Sequence, residues 1–329
     1  MPIVNNEKDM ERYNEFVRNS RYSKPFQDTN WSKVKDNWTH DFLYVEDNNG
    51  KITGALSVIG VKNDNGKYFL YAPRGPVCDF NDYELVESLI KEAEVLKEKY
   101  DAFLLRIDPE HIFDEKAIYE YRKRGYDLRT FPTDTHSFTQ PRHSMVLEIA
   151  DRDEDEILAS FSSSTRRNVR KGYKKDLHTI HSTDGTAIDT FYELTKIMAD
   201  RQEIGHRPKE YFERLVEYMN GHMFTTYCED QALSSCILIP YNDKAYYLYA
   251  ASSNEKRNLM PNYQMIWESI KWSKDNGYKY YDFGGVFSLD INDGLYHFKE
   301  GFTGIEGINN FIGELDVVYD REKYNEFIN

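Results

Sequence analysis

The sequence predicts an α/β (α+β) protein of two domains, each built on a mixed, largely antiparallel sheet. The chain has 329 residues, which is more than one hydrophobic core usually holds. Its hydrophobic content of 40% is sufficient for packed interiors. The order strand, strand, strand, helix, strand occurs twice, near residues 41–107 and 222–283, and this repetition favours two similar domains.

The first half begins with an amphipathic helix, because the apolar residues of EKDMERYNEFVRN fall on one helical stripe. Three short strands follow in DFLYVED, KITGALSVIG and GKYFLYA, and the Asn-Gly turns between them are typical of hairpins. Apolar residues at helical spacing then predict a helix from Asn81 to Lys99. The buried strand DAFLLRIDPE comes next and stops at Pro109.

The second half starts with one or two short helices in ILASFSSSTRRNVRKGYKK and longer helices around 187–201 and 209–219. Strands are predicted in HMFTTYCED, ALSSCILIPY and KAYYLYAAS, followed by a helix over 261–275 and the strand YKYYDF. FIGELDVVYD predicts one more strand, and REKYNEFIN a short helical tail. Residues 130–144, rich in Thr, Pro and Ser, are the best linker candidate.

Composition limits the function classes. A net charge of −14 argues against nucleic-acid binding by the whole surface but leaves a local basic groove open. The three cysteines are too few and too irregularly spaced for a disulfide framework or a zinc site, so no metal is expected. Neither a signal peptide nor an apolar run of the ~20 residues that cross a bilayer is evident. We expect a soluble, cytoplasmic monomer without a stable protein partner.

One lysine, Lys299, lies among aromatic residues after a pair of glycines in YYDFGGVFSLDINDGLYHFKEGF, residues 280–302. Glycines let the backbone turn sharply or approach a ligand closely. A lysine held among aromatic rings stays charged only if it meets an anion, since desolvation otherwise lowers its pKa. Such a lysine can stabilise an oxyanion or hold a phosphate. A surface lysine that snorkels to water is the alternative.

A basic run, STRRNVRKGYKK, stands out in this acidic chain. Helical spacing places four of its cations on one side, namely Arg167, Arg170, Lys171 and Lys174, and Arg166 belongs to the same run. A helix side of this kind can neutralise several phosphates at once. The alternative is a solvated basic helix paired with DRDEDE just upstream.

Three other stretches carry weaker signals. Arg207 precedes a proline that can occupy the first turn of a helix, where anions bind; a helix-capping loop with an exposed arginine is the common alternative. NWSKVKDNW alternates aromatic and cationic residues, which is consistent with a phosphate and base site or with an amphipathic surface strand. Asp108 ends an apolar strand, where pockets of α/β sheets open, or simply forms an Asp-Pro turn.

Seven stretches in order resemble the Fem family of aminoacyl-tRNA-dependent peptidyltransferases, which build peptidoglycan cross-bridges. They are QDTNWSKVKDNW, YAPRGPV, LLRIDPE, TRRNVRKGYKK, HRPKEYFERL, YLYAASS and YYDFGGVFSLDINDGLYHFKEGF. The pattern is most similar to FemX-type members, because no heptad stretch is long enough for a coiled-coil arm. The resemblance implies two acetyltransferase-like (GNAT) domains, 1–143 with 311–329 and 144–310, with the C-terminal strand returning to the first.

The resemblance also implies an activity, the transfer of an amino acid from aminoacyl-tRNA to the stem-peptide lysine of a muramyl pentapeptide. A UDP-linked precursor is favoured over a lipid-linked one, and no cofactor is needed. By motif position, Lys299 and Asp108 would act in catalysis. Lys33, Arg207 and Tyr211 would bind the precursor, and Phe103 stands where FemX-type enzymes have a tyrosine that contacts it. The basic residues would face the tRNA: Arg166, Arg167, Arg170, Lys171 and Lys174.

Two other classes of function stay open. An acyl-CoA-dependent N-acetyltransferase shares the fold, but AASSNEKRNLMPNY lacks the glycine-rich turn with which those enzymes usually bind pyrophosphate. A non-catalytic member that binds precursors or tRNA is the other, and the joint presence of Lys33, Arg207 and Lys299 argues against it.

Overall fold

A computed structural model describes residues 3–64, 66–130 and 137–328. The chain forms two compact units, Met1–Arg142 with Asn310–Asn329, and His143–Asn309. The predicted linker at 130–144 falls in part on residues 131–136, outside the described residues, and a strand already begins at His143.

Both units contain helices and strands. Up to Arg142 they are α1 (Glu7–Asn19), α2 (Thr29–Val34), β1 (Thr39–Glu46), β2 (Ile52–Lys62), β3 (Tyr68–Arg74), α3 (Tyr83–Tyr100), β4 (Ala102–Pro109), α4 (Glu115–Lys123) and β5 (Asp127–Arg129). From His143 onward they are β6 (His143–Glu148), α5 (Glu154–Ser160), α6 (Ser163–Tyr173), β7 (Leu177–Ser182), α7 (Gly185–Gln202), α8 (Lys209–Tyr218), β8 (His222–Cys228), β9 (Gln231–Tyr241), β10 (Lys244–Ser252), α9 (Pro261–Asp275), β11 (Tyr280–Val286), α10 (Gly294–Thr303) and β12 (Ile308–Asn310). The last two are β13 (Glu314–Val318) and α11 (Arg321–Ile328). Among these helices, none combines the length and the apolar character that crossing a membrane requires.

The first unit is built on a six-stranded sheet in the order β1-β2-β3-β4-β13-β5. Strands β1, β2 and β3 pair antiparallel, as the hairpin turns predict, and β4 is parallel to β3 after the crossover through α3. The apolar stripe of α3 is buried against this sheet, and its residues recur at helical spacing: Val86, Leu89, Ile90, Ala93 and Leu96. Burying a Val, Leu or Ile side chain of this stripe stabilises the unit by about 1.5–3 kcal/mol.

The second unit repeats this arrangement on a seven-stranded sheet, in the order β12-β6-β11-β10-β9-β8-β7. Strands β8, β9 and β10 pair antiparallel, and β11 is parallel to β10 after the crossover through α9. The repeated order strand, strand, strand, helix, strand is therefore confirmed in both units.

The C-terminal strand β13 belongs to the first unit, as the resemblance implied. It lies between β4 and β5 and is antiparallel to both. The buried Arg106 guanidinium on β4 donates from Nε and Nη2 to the two carboxylate oxygens of Asp316 on β13, each at 2.7 Å. Glu314 on the same strand lies 3.3 Å from Arg106 and also pairs with Arg129. Charged side chains as well as apolar ones therefore fasten the end of the chain to this sheet.

Candidate active site

Lys299 lies on the buried side of helix α10. Asp293 caps this helix, and its side chain accepts hydrogen bonds from the amides of Leu295 and Tyr296 at 2.9 Å. Tyr296, Lys299 and Phe302 follow at intervals of three and are all buried. Only 7% of Lys299 is exposed, so the snorkelling alternative is wrong. The helical repeat places this lysine in the apolar stripe of its own helix.

The two glycines form a β-bulge in β11. Asp282 pairs with Val146 on β6 and Gly285 pairs with Ser144, so β11 carries one extra residue between the pairs. Gly284 adopts a φ of +73°, which favours glycine. The Gly285 carbonyl accepts a hydrogen bond from Lys299 Nζ at 3.0 Å. Bulges of this kind bend a strand and re-aim its groups, and here a backbone carbonyl is directed at the lysine.

The Lys299 ammonium is only partly satisfied. An ammonium has three hydrogen-bond donors, and within the described ranges the Gly285 carbonyl is the acceptor that Nζ contacts. Burial lowers the pKa of Lys299 to about 8, and the nearby negative charge of Asp282 opposes this shift. The group is therefore mainly protonated at pH 7. A buried cation with unused donors is suited to bind an anion.

Arg207 and Tyr211 form a second part of the site. Arg207 is exposed, and its guanidinium lies 5.5 Å from the centre of the Tyr211 ring. Tyr211 is buried, and its hydroxyl lies 3.0 Å from that of Tyr249 on β10. Pro208 caps α8 from outside the first turn, one position earlier than the sequence predicted. Tyr249 was missed as a site residue, although it belongs to the quoted YLYAASS motif.

Strand β10 connects this part of the site to the lysine. Tyr249 is two residues from Tyr247 on β10, the strand next to β11. A Cβ atom built on Gly284 would lie 3.9 Å from both the Tyr247 carbonyl oxygen and Lys299 Nζ. A series of neighbouring residues on β10 and β11 therefore runs from Arg207 and Tyr211 to Lys299, all within the second unit.

The basic run forms helix α6, as predicted. Arg167, Arg170 and Lys174 are exposed, and Lys171 is half-buried. Arg166 differs, because its guanidinium donates to the carbonyl oxygens of Ala159 and Phe161 at the end of α5. Its observed contacts are structural, whereas Arg167, Arg170 and Lys174 present their charge to solvent.

Helix α6 packs directly against the helix that carries Lys299. The amide of Ser162, which caps α6, donates to the Gly301 carbonyl at 2.9 Å. A Cβ atom at Gly301 would lie 2.4 Å from Thr165 Oγ1, so this close approach requires glycine. The contact fixes the basic helix relative to Lys299.

Lys33 lies in the first unit, on the short helix α2. It is exposed at that position. Asp28 caps the helix by accepting from the Asn30 amide, and Arg18 donates to both Asp28 oxygens at 2.6 and 2.9 Å. The alternative of an amphipathic surface strand in NWSKVKDNW is therefore wrong, because a capped helix occupies the start of that stretch.

Asp108 lies at the carboxyl end of β4 and is only 2% exposed. Its carboxylate accepts hydrogen bonds from the Tyr71 hydroxyl and the Arg74 amide, both at 2.6 Å. Burial raises the pKa of Asp108, while the Arg74 guanidinium, 3.8 Å away, opposes the shift. A role as general base would require this carboxylate to leave the partners that it already holds.

Phe103 is placed at the other end of β4 and is fully buried. Its ring packs edge-on against Phe327 of α11, with 5.4 Å between the ring centres. The substrate contact that the resemblance implied at this position would require an apolar core to open, and its burial argues against that contact.

Comparisons with known proteins agree with this arrangement. The sequence profile described as FemAB family matches residues 9–228 and 221–327. A UDP-N-acetylmuramoylpentapeptide-lysine N(6)-alanyltransferase of Weissella viridescens is 33% identical over 337 residues, which cover 100% of this chain and 99% of that protein. A crystal structure of FemX has a similar fold, with a TM-score of 0.86, 22% identity and full coverage of both chains.

A tandem GNAT protein of the clavulanic acid pathway has a similar fold, with a TM-score of 0.56 and 10% identity over 96% of this chain and 98% of that one. The predicted fold of two acetyltransferase-like domains is thereby confirmed. Because the family profile spans nearly the whole sequence, the chain belongs to the FemAB family.

Proposed function

We propose that this protein transfers an amino acid from aminoacyl-tRNA to the lysine amine of UDP-linked muramyl pentapeptide, and so begins the peptidoglycan interpeptide bridge. The Weissella relative is named as an alanyltransferase acting at that lysine. The observation that carries the proposal is the buried Lys299 ammonium beside the glycine bulge. Its contact with the Gly285 carbonyl uses one of its three hydrogen-bond donors.

The chemistry of this transfer is an ester aminolysis. The lysine ε-nitrogen attacks the acyl carbon and forms a C–N bond, and the bond from that carbon to the tRNA ribose oxygen breaks. The amine loses a proton and the ribose oxygen gains one. Negative charge develops on the carbonyl oxygen, where the Lys299 ammonium would stabilise it. Holding the two large substrates in place supplies much of the remaining acceleration.

The most direct test offers the enzyme charged tRNA and the UDP-linked pentapeptide and reads the acceptor by mass. The expected product is heavier by one aminoacyl residue, and hydrolysis of the tRNA ester beforehand should abolish it. Transfer from acetyl-CoA with release of free CoA, and none from charged tRNA, would instead support the N-acetyltransferase alternative. The tandem GNAT likeness makes this control necessary.

Precursor binding provides a second test. Replacing Arg207 or Lys33 by alanine should weaken binding of the UDP-linked precursor by about 1.5–3 kcal/mol, the range for charge-assisted hydrogen bonds. Calorimetry measures this directly, with Lys91→Ala on the exposed side of α3 as the matched control. If both variants bind the precursor as tightly as the wild type, these cations do not contact the precursor.

The basic helix predicts the salt dependence of tRNA binding. Changing Arg167 and Arg170 to glutamine removes two exposed cations. The slope of log K against log salt should then fall by about 1.4–1.8, which corresponds to two lost phosphate contacts. A Lys91→Gln/Lys116→Gln variant changes the net charge equally at exposed sites of the first unit and should keep the wild-type slope. Equal slopes in all three proteins would mean that α6 is a solvated basic helix and that Arg167 and Arg170 do not contact tRNA phosphates.

A further inference from the structure

We infer that Asp282 is a positioning residue for Lys299: its carboxylate closes the bulge that aims the Gly285 carbonyl at the ammonium, and it supplies the buried countercharge. The kinetic part of this inference rests on the proposed function, and its structural part does not. The mechanism outlined above makes no use of Asp282, which lies on β11 and is only 4% exposed.

The hydrogen bonds of Asp282 stabilise the bulge. Its Oδ1 accepts from the Gly284 amide at 2.8 Å and lies 3.5 Å from the Ser144 hydroxyl on β6. The first contact fixes Gly284 at its φ of +73°, and the next residue, Gly285, holds Lys299 Nζ through its carbonyl at 3.0 Å. A change at Asp282 is therefore transmitted over two residues to the acceptor that orients the ammonium.

The charge of Asp282 acts on the same ammonium. Burial lowers the Lys299 pKa, and the Coulombic attraction of Asp282 raises it. Lys244 on β10 lies 3.7 Å from Asp282 Oδ2 and competes for that negative charge. Helix α10 carries His297 and Glu300 and packs against β6, β11, α6 and the short 3-10 helix Ile305–Gly307. Besides Asp282, the histidine and charged side chains of the elements packed against it are His143, Glu148, Arg166, Arg167, Arg170, Lys171 and Glu306. Within the described part of the chain, Asp282 is the ionisable group that shifts the Lys299 pKa.

Substitutions at Asp282 separate the two roles. Asp282→Asn keeps an acceptor for the Gly284 amide and removes the charge, whereas Asp282→Ala removes both. Without the countercharge, the protonated form of Lys299 is less stable, so its pKa should fall below the wild-type value of about 8. NMR of lysine labelled at the side-chain nitrogen and ε-carbon follows this titration without any substrate, and Lys299→Met identifies the resonance.

The pH profile of transfer gives the second readout. The acceptor amine must lose a proton, and its ordinary pKa is about 10.4, so log kcat/KM should rise with pH until Lys299 begins to lose its own proton. The profile should level off near pH 8 in the wild type. It should level off at lower pH in Asp282→Asn. Asp282→Ala should in addition lower kcat by about tenfold or more, because the Gly284 amide loses its acceptor and the bulge no longer holds the Gly285 carbonyl toward Lys299.

A second variant keeps the test informative if the Asp282 variants do not fold. Lys244→Met leaves Asp282 in place and removes the competing cation, so it should raise the Lys299 pKa. The control is Asp243→Asn, which should change neither readout. Asp243 lies in the turn before β10, and its half-exposed carboxylate pairs with Lys279.

The outcomes distinguish this inference from the proposed function. If wild-type protein transfers amino acids but neither Asp282→Asn nor Lys244→Met moves the Lys299 titration or the profile, the inference is overturned. If no transfer occurs at all, the proposed function fails. In that case, the NMR shift in Asp282→Asn still decides whether Asp282 controls the lysine.

Discussion

Replacing Lys299 by methionine should reduce the rate of aminoacyl transfer by about 10²–10³-fold, the usual cost of removing one preorganised oxyanion donor. Methionine has a similar length and no charge, so it keeps the packing of α10 and removes the ammonium beside Gly285. The effect should appear in kcat rather than in KM, because the interaction forms as charge develops on the carbonyl oxygen. Single-turnover assays with charged tRNA and the UDP-linked pentapeptide measure it.

Stability provides the control for this substitution. Burying the Lys299 charge is unfavourable, and after its replacement the buried Asp282 still has Lys244 as a countercharge at 3.7 Å, so an apolar residue at position 299 should change the melting temperature little. Lys279→Met, at a lysine whose side chain is 61% exposed on the same unit, should keep full activity. Activity of Lys299→Met within threefold of the wild type would remove this lysine from the mechanism, whatever the family.

The largest effect on stability is expected at Arg106. Replacement by methionine leaves Asp316 and Glu314 buried with their main countercharge gone, which typically costs about 3–5 kcal/mol. The side chains of Arg106, Glu314 and Asp316 are at most 3% exposed, so water cannot replace the lost partner. Hydrogen exchange at amides of β4 and α3 reports the free energy of unfolding of the first unit separately from that of the second.

Two comparisons make this prediction specific. Arg124 pairs with Glu87 at the surface, and Arg124→Met should cost less than about 1 kcal/mol. Neutralising the acids as well, in Arg106→Met/Glu314→Gln/Asp316→Asn, should recover part of the loss, because the uncompensated charges are then gone. If Arg106→Met alone lowers the free energy of unfolding by less than about 1 kcal/mol, Glu314 and Asp316 have found other partners.

Local sequence signals were sufficient for most of the fold. Hairpin turns, the apolar stripe of α3 and the repeated strand order each depend on neighbouring residues, and they predicted the elements to within a few positions. Strand β7 was missed because it lies at the edge of its sheet and exposes His178, Ile180 and His181, so no apolar alternation marks it. Helix α2 was ambiguous because its six residues are too few to show a period.

The candidate site was predictable in its chemistry but not in its connections. Lys299 was singled out by the aromatic residues and glycines beside it in the sequence. No local pattern reveals that Asp108 already holds Tyr71 and Arg74, since 37 residues separate Asp108 from Tyr71. Phe103 matched a motif position but lies in the core, because motif matching does not reveal that β4 is buried along its whole length.

The position of β13 has a consequence for how the protein is made. Its pairing with β4 and β5 uses residues 314–318, which leave the ribosome after the whole second unit has been synthesised. Until then, one edge of β4 and the whole of β5 lack their strand partner, and other chains can add at such edges. We expect a chain released early, before residue 314, to depend on chaperones and to aggregate, even though Lys299 and the glycine bulge beside it are already present.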